Sequence, residues 1–78
     1  MTVKEYGDGV VVDTSRVSEE ARERHNQEAD LGFIKALMQK KRLTVEEALE
    51  ESLCYSLRVA LRYPEGHHAY LLDGYAES

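Results

Sequence analysis

Histidine is the residue type in this chain that most readily binds a metal ion, and three histidines are present. His67 and His68 are adjacent and shortly precede Asp73, whereas His25 lies far earlier in the chain. A zinc site needs three or four ligands that converge on one ion. Neighbouring side chains of an extended segment point to opposite sides, so an adjacent pair seldom binds the same ion. We therefore expect no metal site and no cofactor. The simplest interpretation is an exposed or partly packed histidine pair, and a pH-sensitive contact is a further possibility.

Cys54 is the only cysteine and the first candidate for a catalytic nucleophile. Nucleophilic catalysis would need a base beside this thiol or beside a serine. Cys54 lies at the edge of an apolar helical arc, where a cysteine usually acts as a small hydrophobic residue. A chain of 78 residues also has little room for a substrate pocket. We expect a protein that is not an enzyme, and a lone cysteine fits a reducing compartment.

Four glutamates open the strongest predicted helix, at positions Glu46, Glu47, Glu50 and Glu51. They form two pairs of like charge at a spacing of four residues, which mildly destabilises an isolated helix. Negative charge is favourable at a helix N-terminus, so the simplest interpretation is a solvated helix start. The alternative is an acidic patch that docks on the basic surface of a partner protein.

Tyrosines are the other candidates for a contact surface, because each has a large apolar body and a hydrogen-bonding tip. The chain has no tryptophan and one phenylalanine, so tyrosines are also needed for the core. We expect Tyr63 in the core and Tyr75 on the surface, where it would contact a partner. Tyr55 and Tyr70 are candidates for either role.

The segment 44–63 must position most of these side chains, and its pattern predicts one helix. Thr44 and Glu47 match a capping box at its start, and Pro64 ends it. Apolar and small residues occupy more than half of its circumference, whereas a surface helix usually has one apolar stripe. We therefore expect the helix to be covered from two sides, by the rest of the chain and by a second copy or a partner. The predicted dimer interface consists of Leu53, Leu57, Ala60 and Leu61.

The remaining segments predict an α+β fold. Residues 3–13 have the signature of a β-hairpin with an Asp8-Gly9 turn. Ser18 is the predicted N-cap of a helix that runs from Glu19 to about Lys41, with Asp30 as an alternative N-cap of a shorter helix. Residues 69–72 are predicted to form a short strand that pairs with residues 10–12. The expected architecture is a single small domain, mostly helical, with an N-terminal β-hairpin, a two-helix pair and a short C-terminal strand.

Composition limits the classes of function. The net charge is −5, and the excess of acidic residues lies in the second half: residues 44–78 contain two Lys or Arg and seven Asp or Glu. A nucleic-acid-binding surface would need clustered basic residues. No apolar run is long enough for a membrane helix, and the first residues lack the pattern of a signal peptide. We expect a cytoplasmic protein with no membrane contact.

Residues 33–53, FIKALMQKKRLTVEEALEESL, resemble in rhythm the two-helix part of ribbon-helix-helix proteins. Proteins of that family are obligate dimers whose paired N-terminal strands read the DNA major groove, and whose second helix begins with a Ser or Thr cap. The resemblance implies a dimeric helical core with Thr44 as the cap. The chain departs from the family pattern at Val10, Val11 and Val12, which offer no polar side chain for base contacts, and its second helix opens with glutamates. We therefore do not expect a nucleic-acid partner.

These features together favour a function in protein-protein contact. The wide apolar arc, the acidic second half and the lack of catalytic motifs predict a small acidic regulator or inhibitor of a larger protein, itself a homodimer or larger homo-oligomer. Bacteriophages and mobile elements often encode inhibitors of this size and charge. The alternative function is a ribbon-helix-helix-like DNA-binding regulator. The expected partner-binding residues are Glu46, Glu47, Glu50, Glu51 and Tyr75.

Overall fold

The computed structural model describes residues 12–75 of the chain. A 3-10 helix at Thr14–Arg16 precedes four α-helices, which are α1 Glu19–Glu28, α2 Leu31–Lys41, α3 Val45–Arg62 and α4 Tyr70–Asp73. Helix α3 is the longest, and it contacts the 3-10 helix and all three other α-helices. The described part of the chain is therefore an assembly of helices around α3.

Two short polar side chains decide how the first helical region is divided. The Ser18 hydroxyl accepts a hydrogen bond from the backbone N–H of Ala21 at 3.2 Å, which confirms Ser18 as the N-cap of α1. Asp30 Oδ1 accepts from the backbone N–H of Gly32 at 2.9 Å and begins α2. The continuous helix from Glu19 to Lys41 is thus wrong, and the alternative with Asp30 as an N-cap is right. A cap residue takes an extended backbone conformation, so a cap inside the region interrupts the helix.

The start of α3 agrees with the sequence pattern. The Thr44 hydroxyl accepts from the backbone N–H of Glu47 at 3.2 Å, and the Glu47 carboxylate accepts from the backbone N–H of Thr44 at 2.9 Å. This reciprocal pair is the predicted capping box. Immediately before it, Arg42 ends α2 in the left-handed conformation with φ of 55°. The turn between α2 and α3 can therefore be short.

The core lies between α1, α3 and α4. Leu53, Leu57 and Leu71 are completely buried in it. The segment before α1 also contributes, since Val12 is 2% exposed and Val17 is 6% exposed. Among residues 12–75, the buried side chains of this cluster are Val12, Val17, Ala21, Leu53, Cys54, Leu57, Ala60 and Leu71. Cys54 is a buried residue of this cluster, as a small hydrophobic side chain would be.

The C-terminal strand predicted for residues 69–72 is wrong, because Tyr70–Asp73 forms the helix α4. Its backbone hydrogen bonds are local, such as Leu72 N–H to Ala69 C=O at 3.0 Å and Gly74 N–H to Leu71 C=O at 3.2 Å. A strand would need a partner for its backbone, whereas one helical turn satisfies these groups and still buries Leu71. Residues 12–75 contain no sheet, and the α+β class is wrong for them: they are helical, with one isolated antiparallel bridge between Val17 and Tyr75.

The predicted β-hairpin lies outside the described residues, apart from its last two positions. Of these, Val12 is buried in the helical core, and Asp13 caps the 3-10 helix by accepting from the backbone N–H of Ser15 at 3.0 Å. Neither position belongs to a strand. The end of the predicted hairpin is therefore part of the helical assembly.

Tyr63 was predicted in the core, but its side chain is on the surface and the residue is 60% exposed. Helix α3 ends at Arg62, so Tyr63 lies in the exit turn, beyond the helical positions that face the core.

Within residues 12–75, none of the helices has both the length and the apolar character needed to cross a membrane.

Candidate functional site

A cleft of about 370 Å³ opens between four parts of the chain. Its walls come from the end of α1, the start of α2, the middle of α3 and the turn before α4. On α3 the lining residues are Ser52, Tyr55 and Ser56, which share a helix face because residues three and four apart are neighbours on its surface. The break between α1 and α2 allows Phe33 to reach the same cleft.

Two exposed aromatic rings meet at the cleft. The ring centroids of Phe33 and Tyr55 are 6.1 Å apart, and their planes are tilted by 43°. Phe33 is 40% exposed and Tyr55 is 51% exposed, so much of their apolar area remains in water. Phe33 is the chain's only phenylalanine, and its position in the sequence predicts only that it belongs to an apolar helix face. The pairing across two helices could not be predicted from either residue alone.

The charged groups of the cleft wall are carboxylates. Glu28 and Asp30 line it, and none of the lining residues that the structure describes is a lysine or an arginine. Arg24 lies at the edge, where its guanidinium nitrogen Nε is 3.0 Å from the Glu28 carboxylate. The same guanidinium lies 4.2 Å above the ring centroid of Tyr70, which also lines the cleft. Burial raises the pKa of Tyr70, the Glu28 charge adds to this, and Arg24 opposes it.

The adjacent histidines stand edge to face at the same cleft. The ring centroids of His67 and His68 are 5.0 Å apart at an angle of 70°. His68 Nδ1 is buried and has no hydrogen-bond partner among residues 12–75. Burial lowers the pKa of His68, and the neighbouring His67 lowers it further. In the described part of the chain, no three His, Cys, Asp or Glu side chains are arranged to hold a metal ion.

His25 and Ser52 form a polar contact in the wall between α1 and α3. His25 Nε2 and Ser52 Oγ are 3.1 Å apart, and the two residues are 3% and 5% exposed. The other ring nitrogen, Nδ1, is 3.5 Å from Asn26 Oδ1. Burial lowers the pKa of His25, which favours the neutral ring. Sequence reasoning missed this pair, although a serine on an apolar helix face is itself a signal that a polar partner must lie opposite.

The four glutamates proposed as an acidic patch have separate local tasks. Glu47 completes the capping box, and Glu51 forms an ion pair with Lys41 at 3.0 Å. Glu50 accepts hydrogen bonds from Thr14 and from Arg22, and so ties the 3-10 helix and α1 to α3. Glu46 is exposed. Three of the four carboxylates therefore bind groups of the chain itself. This favours the interpretation that the glutamates stabilise the start of α3 over the interpretation that they form a docking patch.

The residues predicted to form a dimer interface lie inside the protomer. Leu53 and Leu57 are 0% exposed and Ala60 is 1% exposed, whereas Leu61 is half-buried against the core. The segment before α1 and the short helix α4 cover the flank of α3 that was assigned to a second copy. Leu53, Leu57 and Ala60 therefore have almost no free surface for a partner, whereas self-association through Leu61 or through another surface stays a prediction.

Tyr75 is half-buried, although it was predicted as a surface contact for a partner. It packs against the core, and its hydroxyl lies 3.5 Å from the backbone nitrogen of Asp13.

Val12 ends the segment that the ribbon-helix-helix resemblance assigns to DNA contact, and it is 2% exposed. A side chain buried in the core cannot contact the DNA major groove.

Comparison with known proteins gives no relative for this chain. No family model matches it, no curated protein matches it, and no solved structure matches it significantly.

Proposed function

We propose that the chain acts by binding another protein, as a small regulator or inhibitor, and that the partner contacts the cleft between α1, α2 and α3. The observation that carries this proposal is the exposed pair of aromatic rings, Phe33 and Tyr55, at the cleft. Aromatic residues are enriched in the central contacts of protein interfaces, where their truncation often costs 2 kcal/mol or more, about a thirtyfold loss of affinity.

The placement of Phe33 supports a binding role. A chain with one phenylalanine and no tryptophan has few large side chains with which to fill a core. Phe33 nevertheless leaves 40% of its area in water, although complete burial of a phenylalanine side chain is worth about 1.5–3 kcal/mol. Covering Phe33 and Tyr55 with a partner would recover part of this energy.

The polar groups of the cleft support contact rather than catalysis. His25 is hydrogen-bonded to Ser52, Asp30 accepts from the backbone of α2, and Glu28 forms an ion pair with Arg24. In an active site, a base and a nucleophile would converge on an open point where a substrate atom could lie. Here the serine and the histidine are both buried and turned toward each other.

The experiment is affinity capture from the source cell with matched variants. Tyr55→Ser and Phe33→Ser each remove one ring of the aromatic pair, and Tyr63→Ser is the control because it removes another exposed tyrosine, at the end of α3, that does not line the cleft. Circular dichroism must first show that each variant is folded. The proposal predicts one protein that the wild type and Tyr63→Ser capture and that the two cleft variants lose. Capture that is equal for all four chains would contradict it.

The alternative function, a ribbon-helix-helix-like DNA-binding regulator, stays a prediction. A binding titration with duplex DNA at low salt tests it, since binding to phosphates weakens steeply as the salt concentration rises.

A further inference from the structure

We propose that the cleft receives an arginine side chain from the surface of the partner protein. This inference rests on the proposed function and specifies the chemistry that the cleft would recognise. Three features of the cleft support it: the charge of the lining residues, their aromatic rings and the way in which the chain binds its own Arg24.

The acidic groups of the cleft favour a cationic occupant. Glu28 and Asp30 line the cleft without a lysine or arginine among the described lining residues, and the whole chain has a net charge of −5. Arg24 compensates part of the Glu28 charge, and Asp30 adds a further carboxylate, so the cleft keeps an excess of negative charge that attracts cations and repels anions. A partner that inserted an Asp or Glu side chain, or a phosphate, would meet like charges.

The aromatic rings distinguish arginine from other cations. Phe33, Tyr55 and Tyr70 all line the cleft. A cation is attracted to the face of an aromatic ring, and a planar guanidinium also stacks on it while its fork of N–H donors reaches a carboxylate. A lysine ammonium is a compact and strongly hydrated charge, so it gains less from such a site.

Arg24 shows the same recognition within the chain. Its guanidinium lies 4.2 Å from the centre of the Tyr70 ring, and its Nε is 3.0 Å from the Glu28 carboxylate. One aromatic ring and one carboxylate thus hold one guanidinium at the edge of the cleft. Phe33 and Tyr55 with Asp30 offer the same combination of groups for a second guanidinium, supplied from outside.

The test uses three small probes and the isotope-labelled chain. N-acetyl-arginine methylamide is titrated while backbone amide signals are followed by NMR. The same derivative of lysine tests a different cation. The same derivative of citrulline keeps the shape of arginine without its charge. We expect saturable shifts at cleft residues with the arginine compound, a dissociation constant in the millimolar range, and binding of the citrulline compound on the order of tenfold weaker.

A matched pair of double variants separates the cleft carboxylates from the overall charge. Glu28→Gln with Asp30→Asn removes two charges from the cleft, and asparagine preserves the N-cap of α2. Asp13→Asn with Glu46→Gln removes two charges elsewhere, and Asp13 is likewise an N-cap. We expect the first double variant to bind the arginine compound about tenfold more weakly, and the second to bind it like the wild type.

Several outcomes would overturn the arginine proposal: no saturable shifts, equal binding of the citrulline compound, lysine binding that is at least as tight, or equal weakening in both double variants. These outcomes leave the proposed function intact if Tyr55→Ser still loses the captured protein. Conversely, arginine binding at the cleft combined with unchanged capture by Tyr55→Ser would refute the proposed function and leave only a small-molecule site.

Discussion

His25 of α1 and Ser52 of α3 are joined by a buried hydrogen bond between Nε2 and Oγ, 3.1 Å long. Both residues are at least 95% buried, so this contact connects the two helices beneath the surface of the cleft. A protonated His25 would place a buried, poorly solvated positive charge at this contact, which is unfavourable. The stability of the helix pair should therefore depend on the neutral ring.

Acid should destabilise the protein through His25. Burial holds the pKa of His25 below its ordinary value of 6.5, and the positive charges of Arg22 and of protonated His68 act in the same direction, against Asn26 and Glu28. As the pH falls below 6.5, the unfolded chain binds a proton that the folded chain does not, so the free energy of unfolding decreases. Urea denaturation at pH 7.5, 6.5 and 5.5 measures this decrease.

The variant His25→Gln should show a smaller loss of stability over the same pH range. Part of the loss should remain, because burial also lowers the pKa of His68. The exposed His67 supplies the control, and His67→Gln should retain most of the wild-type decrease. A decrease that is identical in the wild type and in His25→Gln would show that other groups cause the acid dependence.

Local signals in the sequence predicted the helix starts, because a cap acts over three residues. Thr44 and Glu47 are close in the chain, and their capping box is present. The strand prediction for residues 69–72 was wrong because an apolar run this short shows no periodicity that could distinguish a strand from a helical turn. The cleft could not be predicted, since Phe33 and Tyr55 meet only through the packing of α2 on α3. The chain itself covers the middle of the wide apolar arc on α3, including Leu53, Leu57 and Ala60, whereas Val45 and Tyr63 at its two ends are exposed.

Truncation of the core leucine Leu57 should destabilise the protomer strongly. Leu57 is 0% exposed, and removing a buried leucine side chain to alanine costs about 2–5 kcal/mol. Because the chain's own residues cover Leu57, the loss should not depend on protein concentration. Thermal denaturation of the wild type and Leu57→Ala at several concentrations tests this, with sedimentation of the wild type alongside. A melting temperature that rises with concentration would instead indicate an obligate dimer.

Gly74 lies so close to α1 that an added methyl group has no space. A Cβ atom at this position would be 2.5 Å from Ala21 Cβ and 2.6 Å from Ser18 Oγ. The Gly74 carbonyl also accepts from the backbone N–H of Ser18 at 2.7 Å, which holds the two segments together. We expect Gly74→Ala to lower the free energy of unfolding by about 1–3 kcal/mol, as overpacking does. Chemical denaturation measures this change.

Gly32→Ala is the control for the glycine substitution. Its Cβ would meet only the Asp30 Oδ1 at 3.2 Å, and the position is helical, where alanine is favoured over glycine by about 1 kcal/mol. The effect should therefore stay within about 1 kcal/mol of the wild type. Equal losses in the two variants would show that the contact between Gly74 and α1 is not tight in solution.

The double variant Glu47→Lys with Glu51→Lys should affect folding rather than partner binding. Glu47 completes the capping box of α3, and Glu51, whose side chain is only 12% exposed, is paired with Lys41. Reversing both charges removes one cap contact and one ion pair and places positive charge near a helix N-terminus. We expect a loss of about 1–2 kcal/mol in the free energy of unfolding, measured by chemical denaturation.

Glu46→Lys is the matched test of docking, because Glu46 is exposed in the same first turn. It should leave the association rate with the captured protein near the wild-type value, since the proposed contact lies at the cleft and Glu46 does not line it. Rates are measured by surface plasmon resonance at two salt concentrations, because charges at an interface act mainly on encounter and are screened by salt. Association that slows strongly in Glu46→Lys and also in high salt would move the contact surface from the cleft to the start of α3.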